Sequence, residues 1–469
     1  MRKTVLFFTL WLCSFAIINL KAQSTTVNRP NIIIILADDL GYGDLGCFGS
    51  TVIKTPNLDQ LAQEGIKLTQ FYSGSTVCAP SRAALMTGKH TGTAYIRGNG
   101  EFPLRQEDVT LPEKLKSIGY ATALFGKWGL GDINTTGSPE LQGWDYFTGL
   151  LHHVEAHYQF PSIAWSSTPE SPVPTRRGIK KFWGFGCDFY TEEAVNWIGS
   201  RPKEQPFLMM LSLTIPHAEL YAPKEAFAPY LDADGKSIFE EKSYEGGHYG
   251  NQNQPRAAYA AMVSRLDNYV GMIVETLKAK GLSDNTLIFF SSDNGTHIEG
   301  GRSMEDVVLM QSSGKLRGVK RDLYEGGIRV PTIVWGAGLP KGKNVSTYGA
   351  FWDILPTFWQ IAGGSSDEDT DGISLWRSWQ NDQNSPLRPL YWEFYENGFA
   401  QAVRYGDWKY IYSQPKNKPV TLELYNLKDD LGETTNLAAK YPTTLKQLQD
   451  FAQQMHQKAI ISNFQREEE

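Results

Sequence analysis

Cysteine is scarce in this chain. Cys13, Cys47, Cys78 and Cys187 are the whole complement of 469 residues, and no two stand in C-x-x-C or Cys/His zinc spacing. A disulfide-stapled scaffold and a zinc module are thereby excluded, and each cysteine must be read on its own. Positive charge is not in excess either. Lys plus Arg number 45 against 51 Asp plus Glu, a formal balance of −6, which excludes a generic nucleic-acid binder. The chain also lacks repeats and low-complexity tracts. Its 41% hydrophobic and 20% charged residues exclude disorder, and the length allows one large domain with a smaller one.

Long hydrophobic runs are missing beyond the N-terminus. There, Met1-Arg2-Lys3 precedes an apolar stretch from Val5 to Ile18 and then Leu20-Lys21-Ala22-Gln23-Ser24. A basic start, a short apolar run and a small residue suited to cleavage make residues 1–22 a signal peptide. The run falls short of the roughly 20 residues that a membrane-spanning helix needs. Removing it takes away Arg2, Lys3 and Lys21 but no acid, moving the formal charge from −6 to −9. The mature chain is expected without a membrane span, exported to the periplasm or outside a bacterial cell.

What is present is a recurring grammar of apolar run followed by polar cluster. Asn31 to Leu36 leads into Ala37-Asp38-Asp39-Leu40-Gly41, and Ala121 to Phe125 into Gly126-Lys127-Trp128-Gly129. Phe207 to Leu213 leads into Thr214-Ile215-Pro216-His217, and Thr286 to Phe290 into Ser291-Ser292-Asp293-Asn294-Gly295. Such runs read as parallel strands buried on both faces, with polar groups gathered at their carboxyl ends. Between them, Thr110-Leu111-Pro112-Glu113 opens a capped helix that Gly119 stops, and Pro255 to Lys280 is an amphipathic helix ended by Gly281. The fold class is α/β, with a mostly parallel central sheet flanked by helices.

Near residue 364 the texture changes to the polar connector Gly363 to Gly372. Beyond it, Leu390–Phe394, Ala400–Arg404, Trp408–Tyr412 and Thr421–Leu424 read as short antiparallel strands, and Tyr441–Ile460 as a closing helix. The expected division is a catalytic domain over 28–365 and a smaller α+β subdomain over 375–469.

Two clusters bear on chemistry by residue type alone. Asp38 and Asp39 after one strand, with Asp293 and Asn294 after another, supply oxygen ligands suited to a hard cation such as Ca²⁺. Read singly, Asp-Asp and Asp-Asn-Gly are ordinary turn signals. The second cluster is Ser75-Thr76-Val77-Cys78-Ala79-Pro80-Ser81-Arg82, continuing to Thr87-Gly88. Pro80 near a helix start and Arg82 one turn in suit a nucleophile held at a helix N-terminus.

Cys-x-Pro-Ser-Arg followed by Thr-Gly resembles the maturation signature of type I sulfatases, of the alkaline-phosphatase-like superfamily. The resemblance continues through Gly126-Lys127-Trp128, Pro216-His217, the Leu316 to Pro331 segment and Leu424-Tyr425-Asn426-Leu427. It implies that a maturation enzyme oxidises Cys78 to formylglycine, whose hydrated aldehyde attacks sulfur with one hydroxyl and expels sulfate through the other. A plain alcohol nucleophile would be left as a stable sulfate ester. It further implies that Asp38, Asp39, Asp293 and Asn294 hold calcium together with residue 78, and that Asp39 assists the nucleophile's deprotonation. Lys127 and Lys320 would hold the sulfate oxygens, Arg82 the deprotonated nucleophile, and His217 would protonate the departing alcohol.

One position departs from the pattern: Gly129 stands where such sulfatases usually carry histidine. His157, in a segment that also holds His152 and His153, is the candidate substitute. The Gly129 variant, taken with Ile96-Arg97-Gly98-Asn99, His217-Ala218-Glu219 and His297-Ile298-Glu299, looks like bacterial exo-acting carbohydrate sulfatases. Expected sugar contacts are Arg97, Asn99, His157, Glu219 and His297. The expected substrate is a sulfated galactose or N-acetylgalactosamine unit, often sulfated at O4. A phosphodiesterase or phosphonate hydrolase of the same superfold, and a glycan binder without turnover, fit the same residues. Pairing of Cys47 with Cys187 stays open.

Overall fold

The structure is a computed structural model describing residues 29–152, 154–178, 184–365, 369–381 and 385–466. The expected signal peptide, 1–22, and His153 lie outside the described residues. Among these residues no helix is long and apolar enough to cross a membrane.

The four apolar runs become four neighbouring strands, Thr286–Ser292, Asn31–Asp38, Phe207–Pro216 and Ala121–Lys127, parallel and in that spatial order. Tyr146–Leu150 adds a fifth parallel strand beyond Ala121–Lys127. Every residue of Asn31–Asp38 is buried. Alternation sends Ile33, Ile35 and Ala37 to one face, and Ile32, Ile34 and Leu36 to the other. The first face is covered by Gly186–Gly199 and Pro255–Lys280, the second by Cys78–Thr87 and Ile354–Ile361. Each isoleucine buried here is worth roughly 1.5–3 kcal/mol relative to exposure, so the central strand cannot slip by one residue cheaply.

The sheet reaches ten strands through short antiparallel edges. Thr332–Gly336 pairs antiparallel with Thr286–Ser292, and Ile163–Thr168 and Ser171–Gly178 extend the other side. These edges carry no long apolar run and are not foreseen by the sequence reading. Both expected helices form. Thr110 and Glu113 make a reciprocal capping box at Leu111–Ser117, and Gly281 ends Pro255–Lys280 in the left-handed conformation.

The four C-terminal strands, Leu390–Phe394, Gly398–Tyr405, Trp408–Pro415 and Thr421–Asn426, form a separate antiparallel sheet. The closing helix is shorter than expected, Pro442–Met455 instead of 441–460. His456 leaves helical geometry because its ring is drawn to the buried Glu393 carboxylate, and the Gln457 N–H donates to the Gly92 carbonyl at 2.9 Å.

The small sheet is fastened to the large one beside Cys78. Trp392, Leu390 and Ile411 pack with Tyr72, Val77 and Ala84, and the Trp392 indole donates to the Ser73 carbonyl at 2.9 Å. An ion lock lies alongside. The fully buried Lys409 ammonium meets Glu325 at 3.0 Å and Glu433 at 2.9 Å. Burial, with Glu325 alongside, pushes the Glu433 carboxyl up to about 7 although Lys409 opposes it. Lys409→Met leaves buried Glu433 without its cation and Glu325 with Arg329 alone as cation, at 3.2 Å, and is expected to cost roughly 3–5 kcal/mol in urea unfolding. A loss below about 1 kcal/mol would show that the carboxyls find other partners.

Candidate active site

Parallel neighbours in register end level with one another: Asp38 lies opposite Pro216, and Ala37 opposite Ser292. The sheet therefore delivers Asp38, Asp39, Lys127, His217, Asp293 and Asn294 to one edge, as an open α/β sheet does at the carboxyl ends of its strands. Asp39 turns the chain there. It adopts φ +65°, which a short acidic side chain tolerates. Its N–H donates to Asp293 Oδ1 at 3.1 Å, and Asn294 Nδ2 donates to its Oδ1 at 2.6 Å.

Cys78 opens the helix Cys78–Thr87 and is buried. The preceding Val77 offers no capping side chain, so a free helical N–H is met from elsewhere: Ala79 N–H donates to Asn99 Oδ1 at 3.1 Å. One turn on, Arg82 reaches Asp293 Oδ2 at 3.0 Å through Nε, and Asp38 Oδ2 at 3.6 Å through Nη2. Its Nη1 donates to Ser212 Oγ at 2.6 Å. The guanidinium thus binds the acids to the central strands.

Lys127 Nζ donates to Asp38 Oδ2 at 2.6 Å, both groups fully buried. Burial works against an ionised Asp38, but Lys127, His217, Arg82 and Lys320 outweigh it and hold the carboxyl far below the usual range. Asp293 goes the other way. Burial, with Asp38 beside it, pushes it up to about 7 against Arg82 and Lys127.

Lys320 arrives on a loop that close glycine packing brings in. A Cβ on Gly295 would stand 1.9 Å from the Gly326 carbonyl oxygen, so only glycine lets the two segments touch. The Lys320 N–H is anchored on Thr296 O at 2.8 Å. Its ammonium lies 2.8 Å from Asp39 Oδ2 and 2.9 Å from His217 Nε2. His217 Nδ1 faces the Ala218 carbonyl at 2.5 Å and so carries the ring hydrogen, leaving Nε2 to accept from Lys320. Burial, followed by the charge of Lys320, lowers His217 to about 3 and keeps the ring neutral.

The residues also suit a cation. Donor atoms of Asp38, Cys78 and Asp293 lie within 4.8 Å of one another. The buried Asp38 Oδ1 and Asn294 Oδ1 have no hydrogen-bond partner among the described residues. Two buried oxygens left bare beside two further carboxylates are the donor set of a hard dication.

Residues 30–364 match the Sulfatase family. The chain belongs to the sulfatase family. It is 30% identical over 407 residues to N-acetylgalactosamine-6-sulfatase of Canis lupus familiaris, covering 81% of this chain and 71% of that one. It is 29% identical over 499 residues to arylsulfatase J of Mus musculus, covering 94% and 78%. Among solved structures it resembles Ps i-CgsB in complex with k-i-k-neocarrahexaose, with TM-score 0.74, 27% identity and coverage of 91% and 93%. This sulfatase is accordingly a sulfuric ester hydrolase, and its large mixed sheet with a separate four-stranded sheet is the family's fold.

The remaining expected residues fall into two groups. His157 and Asn99 lie in the sulfatase's central cluster. The His157 ring stacks on His217 at 3.9 Å and 14°, and neither of its nitrogens has a hydrogen-bond partner among the described residues. Asn99 Oδ1 stands 3.8 Å from Cys78 Sγ. Arg97 and Glu219 are engaged elsewhere, whereas His297 stands beside the cluster, its ring stacked 5.8 Å from that of His217 and a nitrogen within 4.8 Å of Asp39 and Glu299 oxygens. Arg97 pairs with buried Glu393 at 3.1 Å, and Glu219 accepts from the Gly250 N–H at 2.9 Å. The fully buried His297 bonds the Pro216 carbonyl through Nε2 at 2.9 Å and accepts from the Glu299 N–H at 3.1 Å, bracing the His217 turn. Cys47 and Cys187 are free thiols and not paired.

Two residues at the site escaped the sequence reading. Glu299 lies 3.6 Å from Lys320 and 3.7 Å from His217, and Tyr249 donates to Glu299 at 3.0 Å. Glu299 was visible inside the His297 to Gly301 segment. Tyr249 comes from an irregular stretch without a pattern. The stacked pair yields a test: His157→Ala removes the surface that fixes the His217 ring and is expected to lower kcat on an aryl sulfate by roughly 10²-fold with KM little changed. Unaltered kcat would show that His217 needs no such support.

Proposed function

We propose that this sulfatase is an exported, exo-acting enzyme that removes sulfate from a sugar, galactose or N-acetylgalactosamine sulfated at O4, with Cys78 matured to formylglycine and Ca²⁺ bound. The observation that carries the reading is the meeting, at one sheet edge, of Cys78 on a helix N-terminus with Asp38, Asp39, Asp293, Asn294, Lys127, Lys320 and His217. The carbohydrate class is supported by a relative named for N-acetylgalactosamine and a structural neighbour solved with a neocarrahexaose. The preference for O4 and exo action rests on the Gly126-Lys127-Trp128-Gly129-Leu130-Gly131 variant and its companion segments. In this reading residues 28–365 are the catalytic domain, 375–469 the subdomain that closes one side, and 1–22 the export signal.

Asp38, Asp39, Asp293 and Asn294 would hold the calcium, which offsets the repulsion between an anionic nucleophile and an anionic ester. Formylglycine at position 78 supplies a hydrated aldehyde able to attack sulfur and later release sulfate without a stable ester remaining. The chain's own groups do the rest. Arg82 fixes the acids and the start of the nucleophile helix. Lys127 and Lys320 present ammonium groups to sulfate oxygens. His217 would pass a proton to the departing alkoxide at Nε2, the atom that rests unprotonated 3.4 Å from Asp39 Oδ2 and can take up there the proton that Asp39 receives from the nucleophile. An alcohol leaving group needs this, since its alkoxide is a poor one. Asp39, in contact with Lys320, can take up the nucleophile's proton.

Mass spectrometry of the peptide containing Cys78, from a host with a maturation enzyme, is expected to show thiol exchanged for aldehyde. Cys78→Ala is expected to abolish turnover, and chelation to remove it until Ca²⁺ is restored. Free sulfate should appear from a panel of monosulfated sugars. An unmodified thiol in active enzyme, or a preference for an aryl phosphodiester over an aryl sulfate, overturns the proposal.

A further inference from the structure

We infer that the mouth of the active site selects a sugar ring carrying one sulfate flanked by free hydroxyls, and turns away a ring with a second anionic group, through an acidic arc of Glu396, Arg321 and Glu299. This deepens the carbohydrate reading above and rests on it.

The arc runs contact by contact from the nucleophile to the proton-transfer pair. Asn99, 3.8 Å from Cys78 Sγ, donates to Glu396 Oε1 at 3.4 Å. Glu396 Oε2 accepts from Arg321 Nε at 2.8 Å, and Arg321 Nη1 donates to Glu299 Oε1 at 2.5 Å. Glu299 Oε2 then approaches Lys320 at 3.6 Å and His217 at 3.7 Å. Both ends are buried catalytic groups. The middle is not: the Arg321 and Glu396 side chains are 41% and 32% exposed. A row of side chains anchored at both ends in the site and open to solvent between them borders its entrance. Glu396 reaches it from the turn between Leu390–Phe394 and Gly398–Tyr405, so the small sheet supplies part of the rim.

Charge decides what this rim accepts. Arg321 is the one cation of the arc, and two carboxylates already hold it. A second sulfate or a uronate would have to approach Arg321 at Nη2, the nitrogen that neither carboxylate engages, and would sit beside both carboxylates while doing so. Sugar hydroxyls donate to those same carboxylates without displacing anything. Tyr249 adds an apolar face next to Glu299, its ring 6.2 Å from those of His157 and His217, which suits the C–H face of a pyranose. Depth separates the two tasks. Arg82, Lys127 and Lys320 await one sulfate inside, while the rim outside carries two carboxylates for one guanidinium. Discrimination by a repulsive element is the economical route, since the alternative ligand bears the same attractive group.

The test uses the full matured enzyme with N-acetylgalactosamine 4-sulfate, 6-sulfate and 4,6-disulfate, scored for free sulfate. At low salt, kcat/KM for the disulfate is expected to be about tenfold below that for the cleaved monosulfate, the scale of one like-charge contact in a solvated mouth. Rising ionic strength should narrow the gap, and Glu396→Gln, which keeps side-chain shape, should narrow it without salt. The wild-type salt series stands even where the variant melts early. Equal or better cleavage of the disulfate overturns the inference, as does a gap that neither salt nor the variant moves. Turnover of an aryl sulfate but of no sulfated sugar removes the carbohydrate reading, and this inference with it.

Discussion

The ion pair between Lys127 and Asp38, both fully buried at the carboxyl ends of parallel strands, is the constraint on which the site depends. Taking either charge out of water alone would cost several kcal/mol, so each is kept ionised largely by the other, with Arg82 adding to the hold on Asp38. Neighbouring strands in fixed register are what guarantee the meeting. Arg82 extends the same logic to Asp293, and Lys320 to Asp39. Three cations and three carboxylates share one small volume, and every one of them needs the sheet intact. Stability and chemistry cannot be separated here, because the groups that would hold a substrate are the groups that keep one another charged.

That arrangement explains why the cluster is poised instead of satisfied. Asp38 is driven strongly towards ionisation while its neighbour Asp293 is pushed up to about 7, so the acids compete for the cations available. Among the described residues Asp38 Oδ1 and Asn294 Oδ1 meet no donor. A protein core normally pairs such oxygens. Leaving them bare is a cost that a dication bound there would offset.

The central layer and most of the residues gathered at its carboxyl edge were legible in the sequence. Long β-branched runs such as Asn31 to Leu36 have only one comfortable home, and the polar residues after them must then share an edge. The capping box at Thr110 and the glycine stop at Gly281 are local chemistry, so they too could be read. What was not legible depends on distant partners. The edge strands are short and owe their existence to neighbours. The closing helix stops at Met455 because Glu393, far away in sequence, claims His456. Arg97 and His297 sit in segments of the right character, but the partners that fix their side chains, Glu393 and the Pro216 carbonyl, are distant in sequence.

Glu299 and Glu396 show the same limit from the other side. A half-buried glutamate in a loop has no signature, and its meaning arises only when Arg321 stands between the two. The small sheet looks like an accessory until its first hairpin turn is seen to end at Asn99, next to Cys78. The Trp392 indole on Ser73 and the Lys409 lock then acquire a further consequence: they fix how far that turn stands from Cys78. A catalytic centre built on one sheet is thus bordered by a rim borrowed from another. The core chemistry can stay constant while the rim, carried on turns that tolerate change, sets which ring may approach.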